Sequence, residues 1–351
     1  MSHDVAPSSA AGVAVARPGD SSRVVRLHGR GDLRVHDEPV PTPGPGEQLV
    51  RVSAVGICGS DLHWFEAGGL GPTKPSHPLV LGHELAGITS EGRRVAIDPT
   101  VSCGACEPCR EGHPNLCVAI RFAGHDVDGG LREWMAWPSR CLVPLPATVS
   151  DEAGAVLEPL GVAIHAIDLA HVRLGATVGV FGCGPIGWLL IQVLRLAGAG
   201  RIVATELPSR PHRLAAARAL GVEVFPADGT EGRAIREATG GRGLDVGIEA
   251  AGDEGAVDAA VESARPGARV VLVGIPGRDR TSFPAASARR KGLTFAMARR
   301  MKHVYPRAIR LVERGALDLD ACVTHRFGLA EVRTAFDAAA RREGLKVVVR
   351  P

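Results

Sequence analysis

Short stretches of alternating hydrophobic and polar residues mark the first half of the chain, from about residue 24 to residue 165. The clearest lie at 24–27, 33–35 and 48–55, and a proline-rich link occupies 39–45. A period of two between glycine and proline breaks predicts short strands. This half is therefore predicted to be a β-rich domain with irregular loops.

The pattern changes near residue 174, where strand-like and helix-like stretches begin to alternate. A strand at 177–181 precedes a glycine-rich turn and a helix over 186–197, and a second strand and helix follow at 201–205 and 210–220. The alternation continues at 245–249, 256–264 and 268–273. This spacing predicts a doubly wound parallel sheet with helices on both faces.

The last part of the chain becomes helical again, over 305–314 and 329–339, and closes with an apolar run at 346–349 that we expect to return to the first domain. These patterns predict three units. They are a mobile tail over 1–22, a β-rich domain formed by 23–172 and 300–351, and a nucleotide-binding domain over 173–299.

Composition narrows the class of protein. The 351 residues are 45% hydrophobic and carry a net charge of only +3, so sizeable cores are expected but no nucleic acid or acidic membrane partner. We find no apolar window of the ~18 residues that a membrane span needs, and no signal peptide in the tail. A cytoplasmic protein with reduced thiols is expected, in which eight cysteines favour metal or catalytic roles over disulfides.

A glycine pattern follows the strand at 177–181. Gly182, Gly184 and Gly187 match G-x-G-x-x-G, with Pro185 and Ile186 inside the loop. The glycines permit a tight turn, close approach of a pyrophosphate and packing of helix on strand, while the helix N-terminus faces the phosphates. The position between strand and helix predicts a dinucleotide loop; the alternative is a helix cap with incidental glycines.

An acidic residue after the next strand indicates which of the two nicotinamide cofactors is bound. Glu206 lies 19 residues after Gly187, close to the spacing of about 20 expected for the ribose-binding acid. A carboxylate there accepts from the ribose hydroxyls and repels a 2′-phosphate, which favours NAD over NADP. Arg210 and Arg213 lie just beyond it and would soften that preference if they reach the ribose.

Four cysteines lie within fifteen residues, in the spacing C-x2-C-x2-C-x7-C. They are Cys103, Cys106, Cys109 and Cys117. A single loop can wrap them around tetrahedral zinc, and four thiolates leave no open position, so the predicted site is structural. An iron–sulfur cluster is disfavoured because the ferredoxin run has another spacing; an unmetallated loop is the other alternative.

A second set of possible metal ligands lies before and after this four-cysteine segment, which we call the lobe. Cys58 is in Gly-Ile-Cys-Gly-Ser-Asp-Leu-His, His83 and Glu84 are in Gly-His-Glu-Leu-Ala-Gly, and Glu158 is in Leu-Glu-Pro-Leu. One thiolate, one imidazole and one or two carboxylates suit zinc with a position left for water or substrate. Each motif alone is common, but their joint occurrence ahead of a nucleotide loop predicts a catalytic metal.

Taken in order, these motifs resemble those of the zinc-dependent medium-chain alcohol and polyol dehydrogenases, from about residue 24 to the end of the chain. The matching motifs are Cys-Gly-Ser-Asp-x-His, Gly-His-Glu-x-x-Gly, the four-cysteine lobe, Glu-Pro-Leu and the glycine loop. The resemblance implies an α/β fold with a GroES-like catalytic domain, an inserted Rossmann domain and an active site in the cleft between them. Family members form homodimers and homotetramers, so a homo-oligomer is expected.

The resemblance also implies roles for single residues. Cys58, His83 and Glu84 correspond to ligands of the catalytic zinc. Glu158 falls where alcohol dehydrogenases place a third ligand, often Cys, and a glutamate there resembles the sorbitol/L-iditol, glucose and threonine dehydrogenase branches. Whether Glu158 binds zinc directly or through water is open.

Further roles concern the proton and the cofactor. Ser60 resembles the hydroxyl that accepts the substrate proton, His63 the outer end of the relay to solvent, and Asp61 a group that orients a zinc-bound imidazole. Three residues at the end of the strand at 268–273 are expected to flank the nicotinamide carboxamide: Val273, Gly274 and Ile275.

Arg300 lies a few residues before a Tyr-Pro pair, where polyol dehydrogenases commonly carry an arginine. It is therefore a candidate for binding substrate hydroxyls, with a solvated basic helix start as the alternative. An arginine or lysine in the cleft would equally suit a phosphorylated or carboxylated substrate.

The sequence thus predicts an NAD-dependent zinc oxidoreductase acting on a secondary alcohol of a polyol, cyclitol or sugar-like molecule. Threonine-type or simple secondary alcohols are the nearest alternative. A non-catalytic nucleotide-binding protein is the alternative from another class, and the complete set of ligands and relay residues argues against it.

Overall fold

The computed structural model describes residues 16–69, 75, 78–278 and 280–351. Residues 1–15 of the predicted mobile tail lie outside the described residues, and Ser21 and Ser22 already belong to the first strand. The prediction of a tail through residue 22 is therefore too long at its C-terminal end.

The N-terminal half is built of short strands, as its alternating pattern predicts. β1 (Ser21–Gly29) and β2 (Asp32–Pro39) form an antiparallel hairpin. The next elements are β3 (Glu47–Gly56), α1 (Gly59–Ala67), β4 (Glu84–Thr89), β5 (Arg94–Ile97), β6 (Thr100–Val101), α2 (Glu107–Arg110), β7 (Arg121–Phe122), β8 (Trp134–Pro138) and β9 (Leu142–Pro144). β3, β4, β5 and β9 pair in that order, and β8 also pairs with β3.

The second half alternates strands and helices. Its elements are α3 (Asp151–Ala170), β10 (Thr177–Phe181), α4 (Pro185–Leu196), β11 (Arg201–Glu206), α5 (Pro211–Ala219), β12 (Glu223–Pro226), α6 (Glu231–Ala238), β13 (Leu244–Glu249), α7 (Glu254–Ser263), β14 (Ala264–Leu272), α8 (Ala285–Lys291) and β15 (Thr294–Met297). The six strands are parallel in the order β12-β11-β10-β13-β14-β15. This is the doubly wound order, whose reversal beside β10 creates a ligand crevice at the carboxyl ends of the strands.

The C-terminal part returns to the first sheet. α9 (Tyr305–Glu313), β16 (Val323–Gly328), α10 (Val332–Ala340) and β17 (Lys346–Arg350) complete the chain. β17 pairs with β3, placing Val348 opposite Gly56 and Val349 opposite Val55. The apolar run at the end of the sequence therefore fills the central sheet of the N-terminal half, while the domain boundaries at 172 and 300 stay predictions.

α3 corrects the expectation that only short strands occupy the chain up to about residue 165. It is a helix of 20 residues that begins with a Ser150 cap and contains Pro159. The proline and the nearly continuous apolar sequence hide its helical period. α3 also corrects the expectation that no window is apolar enough for a membrane span. It has the length and hydropathy of one, but 83% of that window is buried inside the protein, as in the core helix of a globular protein.

Candidate active site and cofactor cleft

Three predicted metal ligands converge beside β3 and β4. Cys58, His83 and Glu84 offer ligand atoms that all lie within 4.8 Å of one another. His83 is 4% exposed and Glu84 is fully buried, whereas Cys58 is half-buried. A thiol, an imidazole and a carboxylate at this separation fit zinc and leave room for a further ligand. Glu158 is not part of this group.

Asp61 fixes the backbone on both sides of the ligands. It lies in the first turn of α1, where its Oδ2 accepts a hydrogen bond from the N–H of Cys58 at 2.9 Å and its Oδ1 accepts from that of Gly82 at 3.3 Å. Oδ1 also lies 3.4 Å from Nδ1 of His83. Burial opposes the charged form of Asp61, but His83 and these contacts lower its pKa overall. The carboxylate thus lies beside the imidazole, although Nδ1 makes no hydrogen bond among the described residues, and its orienting role stays a prediction.

Glu84 is balanced by a buried cation. Its Oε1 accepts a hydrogen bond from Nζ of Lys346 at 2.6 Å, and Nζ also donates to the carbonyl of Ile57 at 3.1 Å. Burial alone would lower the pKa of Lys346, but Glu84 and Cys58 raise it above the usual range. The other oxygen, Oε2, is buried, and no described residue donates a hydrogen bond to it. That oxygen is therefore free for a metal ion.

Gly56 makes room for this carboxylate. A Cβ atom there would lie 2.0 Å from Oε2 of Glu84, a distance that no side chain tolerates. The glycine is required by this close approach and not by its backbone angles. Any larger residue would push the carboxylate out of the metal-ligand group.

Glu158 lies on α3, facing the same site. It is 4% exposed, and burial raises its pKa to about 7, with His83 lowering and Glu84 raising it. The carboxyl thus stands near the metal-ligand group, outside the 4.8 Å set. Whether it binds metal directly or through water stays a prediction.

Ser60 and His63 lie on α1, three residues and about one helical turn apart. Oγ of Ser60 is 3.5 Å from Nε2 of His83, and Ser60 is 4% exposed. His63 is half-buried. The Ser60 hydroxyl therefore lies against the imidazole of His83. His63 lies about one helical turn further along α1 and is more exposed to solvent.

The four-cysteine lobe forms a separate group. Its four sulfur atoms lie within 4.8 Å of one another, and their exposure ranges from exposed at Cys103 to buried at Cys117. The N–H groups of Ala105 and Cys106 lie 3.4 and 3.3 Å from Sγ of Cys103 and lower the pKa of this thiol to about 6. Four converging thiols fit a closed structural zinc site.

The glycine loop lies at the crevice of the parallel sheet. Gly182 has a φ of 104°, which favours glycine. A Cβ at Gly187 would lie 1.8 Å from the carbonyl oxygen of Gly182, while one at Gly184 would meet only the Arg213 guanidinium, at 3.4 Å. Gly182 and Gly187 therefore close the turn, and Gly184 leaves space above it, with Pro185 beginning α4 and Ile186 next to it.

Glu206 ends β11 beside this loop. Its Oε2 accepts a hydrogen bond from the N–H of Cys183 at 3.1 Å. Arg210 and Arg213 donate to the carbonyls of Arg341 and Gly344, at 2.7 and 3.2 Å. Both arginines are thus engaged with the C-terminal segment. Glu206 is the acidic residue that the sequence predicts to bind the ribose.

The turn after β14 is fastened to the turn after β13. The backbone N–H groups of Val273 and Gly274 donate to the carbonyl of Glu249, and Gly274 also donates to its Oε2 at 3.2 Å. Oε1 of Glu249 accepts from Ala251 and Gly252, each at 2.6 Å. Ile275 is 49% exposed. Glu249 was not anticipated from the sequence, and it holds together two walls of the expected nicotinamide position.

Comparisons with known proteins agree with this geometry. Residues 44–147 match the alcohol dehydrogenase GroES-like domain family, and residues 185–314 match the zinc-binding dehydrogenase family. Sorbitol dehydrogenase of Bacillus subtilis is 32% identical over 93% of this chain and 96% of its own length. Human sorbitol dehydrogenase is 35% identical over 96% and 97%. The chain belongs to the zinc-dependent medium-chain alcohol and polyol dehydrogenases.

A solved structure supports the fold and the cofactor type. A zinc-binding dehydrogenase from Sinorhizobium meliloti 1021, solved with NADP, is 31% identical, with a TM-score of 0.85 over 95% of this chain and 100% of that one. The predicted GroES-like and Rossmann architecture is confirmed. As a member of this family, the protein is a zinc-dependent oxidoreductase that transfers a hydride between a nicotinamide cofactor and an alcohol.

In this dehydrogenase, Arg300 lies close to the metal-ligand group. Its guanidinium carbon is 3.7 Å from the centroid of the Phe122 ring, and that ring is 5.2 Å from the imidazole of His83. Burial and the neighbouring Arg299 lower the pKa of Arg300 to about 10. The side chain thus stacks against the active site and does not begin a solvated helix.

Sequence reasoning missed Lys346 and His125. Lys346 opens the apolar run of β17, and a lone lysine before three buried valines is the signal that could have marked it. The imidazole of His125 packs edge-on against His83 at 5.4 Å, and burial lowers its pKa to about 3. His125 is therefore a neutral wall of the site.

Proposed function

We propose that this protein oxidises a secondary alcohol group of a polyol, cyclitol or sugar-like molecule with NAD, and catalyses the reverse reduction. The observation that carries the proposal is the convergence of Cys58, His83 and Glu84 within 4.8 Å, with Oγ of Ser60 only 3.5 Å from His83. The similarity to sorbitol dehydrogenases over more than nine tenths of the chain supports the same substrate class.

The proposed ligands of the catalytic zinc are Cys58, His83 and Glu84, with Glu158 directly or through water. When bound, the metal supplies Lewis-acid polarisation of the alcohol oxygen. The hydroxyl of Ser60 would take up that proton while it gives up its own, and His63, about one helical turn away, would release a proton to solvent. Lys346 neutralises Glu84, so that the buried ligand set keeps a carboxylate.

The proposed cofactor contacts are the glycine loop with the pyrophosphate, Glu206 with the ribose and residues 273–275 with the nicotinamide carboxamide. NAD is favoured over NADP because the Glu206 carboxylate stands at the end of β11 and would repel a 2′-phosphate. Arg210 and Arg213, which could have attracted that phosphate, donate to backbone carbonyls instead.

The test uses initial rates of NAD reduction by the zinc-loaded protein. Sorbitol, xylitol, L-iditol and myo-inositol are compared with L-threonine and 2-butanol, each with and without a chelator. Turnover of a polyol or cyclitol that the chelator abolishes is expected. Turnover of threonine or 2-butanol alone would overturn the substrate class, and NADH binding without any turnover would favour the non-catalytic alternative.

We also propose a homodimer or homotetramer in the cytoplasm. The edge strand β15 supports an assembly, because Met297 is 68% exposed there and the neighbouring Phe283, 40% exposed, stacks on Phe295. Exposed apolar side chains beside a strand edge are typical of contacts between subunits. The eight free cysteines suit a reducing compartment. Light scattering of the purified protein tests the assembly, and a monomer at micromolar concentration would contradict it.

A further inference from the structure

The guanidinium of Arg300 is half-buried beside the active site, and no described residue pairs with its charge. Nη1 is inaccessible and makes no hydrogen bond among the described residues, and none of the ion pairs found there includes Arg300. The planar group instead stacks on the Phe122 ring at 3.7 Å. A partly desolvated cation without a counter-charge is less stable than one that a group outside the chain pairs with.

Other partly buried arginines of this protein do have partners. Arg26 donates to both oxygens of Glu38, at 2.5 and 2.8 Å, and Arg94 pairs with Asp151 at 2.6 Å. Arg213 donates twice to the carbonyl of Gly344. Arg300 therefore differs from these three, since no ion pair or hydrogen bond among the described residues holds its guanidinium.

The charges around Arg300 do not compensate it. The adjacent Arg299 carries the same charge, and Lys302 follows two residues later. The carboxylates that favour the charged form of Arg300 are those of Asp126 and Glu158, but neither forms an ion pair with it, and Oδ2 of Asp126 accepts the N–H of Phe122 at 3.1 Å. This side of the site is therefore positively charged.

The backbone that carries Arg300 is held by the four-cysteine lobe. Nδ2 of the buried Asn115 donates to the carbonyl of Arg299 at 3.1 Å, and Nζ of Lys302 donates to Nδ1 of His113 at 3.0 Å. Arg300 itself has a φ of 56°, which is uncommon for a non-glycine residue and costs free energy unless its surroundings impose it. The guanidinium is thus held in a defined position from two sides.

We propose that the preferred substrate carries an anionic group, a carboxylate or a phosphate, that binds Arg300 while its alcohol group lies at the metal-ligand group. This inference rests on the proposed function and narrows its substrate class. A neutral hydroxyl could accept a hydrogen bond from Nη1 but would leave the charge unpaired. A carboxylate or phosphate supplies both the acceptor and the counter-charge, and the planar guanidinium can donate two hydrogen bonds to it.

The test compares matched alcohols at constant ionic strength: sorbitol, gluconate and sorbitol 6-phosphate. The expected kcat/KM of one anionic member exceeds that of the neutral one by roughly tenfold or more, as for a charge-assisted bidentate contact. Arg300→Gln removes this preference: kcat/KM for the anion should fall roughly tenfold further than kcat/KM for sorbitol, which loses only a neutral hydrogen bond. The two anions distinguish a carboxylate-binding from a phosphate-binding site, and Arg300→Lys should retain more activity on the phosphate.

Arg299→Gln is the matched control, because it removes the same charge from an exposed neighbouring side chain. It should leave the preference for the anion within about twofold, as a screened surface charge would. An equal loss in both variants would indicate a diffuse field and overturn the proposal.

A binding measurement separates this inference from the proposed function. Inorganic phosphate is titrated calorimetrically into the zinc-loaded protein with NADH bound, and saturable binding that Arg300→Gln abolishes is expected. Sorbitol turnover with no preference for either anion would overturn the inference and leave the proposed function standing. Without turnover of any alcohol the proposed function fails, and phosphate binding that is absent or unchanged in Arg300→Gln then overturns the anion site as well.

Discussion

The two metal-ligand groups of this protein differ in nearly every physical respect. The lobe offers four thiols on a surface loop, and Cys103 is exposed. The group at Cys58 combines three kinds of ligand, of which His83 and Glu84 are buried. Lys346 pairs with Glu84, and Asp61 lies beside His83. A closed set of like ligands suits the folding of a loop, whereas a mixed, buried and open set suits chemistry.

Replacing a ligand of the buried group should have the largest effect on activity. Cys58→Ser removes the thiolate, and we expect kcat/KM to fall on the order of a thousandfold or more, since Lewis-acid polarisation contributes several kcal/mol. The free energy of unfolding should change little because Cys58 is half-buried. Rates and bound zinc are measured together.

The control is Cys141→Ala, which removes a buried thiol that belongs to neither group. It should keep its zinc and most of its activity. Full activity of Cys58→Ser after chelation would contradict the assignment of this group as the catalytic centre.

The next largest effect is expected for the free energy of unfolding when the ion pair between Lys346 and Glu84 is broken. Lys346→Met leaves the carboxylate of Glu84 without its cation in a fully buried position. Loss of one partner of such a pair costs about 3–5 kcal/mol of unfolding free energy. Denaturant unfolding of the metal-free protein measures this without the contribution of zinc.

Lys346→Met combined with Glu84→Gln supplies the matched comparison. The double variant should recover much of the loss, because no uncompensated charge remains. A loss of unfolding free energy in the double variant equal to the sum of the two single losses would contradict a direct coupling between the two side chains.

The lobe should show the opposite balance of effects. Cys103→Ser should release one zinc per chain and lower the free energy of unfolding by about 3 kcal/mol, since the loop loses its metal. Activity should fall less than in Cys58→Ser, through looser positioning of residues 299–302 by His113 and Asn115.

Zinc content and limited proteolysis measure the loss of the metal and the loosening of the lobe, and kcat/KM measures the loss of activity. Ala105→Ser, in the same exposed loop, should behave as the wild-type protein. A Cys103→Ser protein with two zinc ions and an intact lobe would show that the four thiols do not hold a metal.

What the sequence predicts well is set by local spacing. The lobe, the glycine loop and the motifs around Cys58 and His83 are short patterns. The four thiols of the lobe converge, as do Cys58, His83 and Glu84, while the roles of these residues stay predictions. The strand at 177–181 agrees with β10 at both ends because it is an apolar run bounded by a glycine turn.

What the sequence does not predict depends on long-range contacts. Lys346 lies 262 residues from Glu84, and the only local sign of its role is a lysine at the start of an apolar strand. Likewise, the Phe122 ring under Arg300 follows from the path of the lobe. α3 was missed for a local reason, since a helix that is apolar on most faces and contains Pro159 lacks the expected period.

The smallest predicted effect concerns Asp98, where the chain leaves β5 for the lobe. Its Oδ1 accepts the N–H of Thr100 at 2.9 Å, and burial raises its pKa from 3.8 to about 6. Between these two pKa values the folded protein binds more proton than the unfolded chain, so the free energy of unfolding falls as pH rises through this window. Above about pH 6 the ionised, half-buried carboxylate therefore costs stability, by about 1–2 kcal/mol.

Asp98→Asn removes this cost and keeps an acceptor for Thr100. The variant should match the wild-type protein near pH 4 and exceed its unfolding free energy by that amount at pH 7.5, measured by urea unfolding of the zinc-loaded proteins. Asp37→Asn, on an exposed carboxylate, should show no such difference. Because zinc loss at low pH affects all three proteins alike, the difference between them isolates Asp98, and an equal stability at both pH values would mean that its carboxyl is solvated. In that case the segment between β5 and the lobe would hold the Asp98 carboxylate in contact with water.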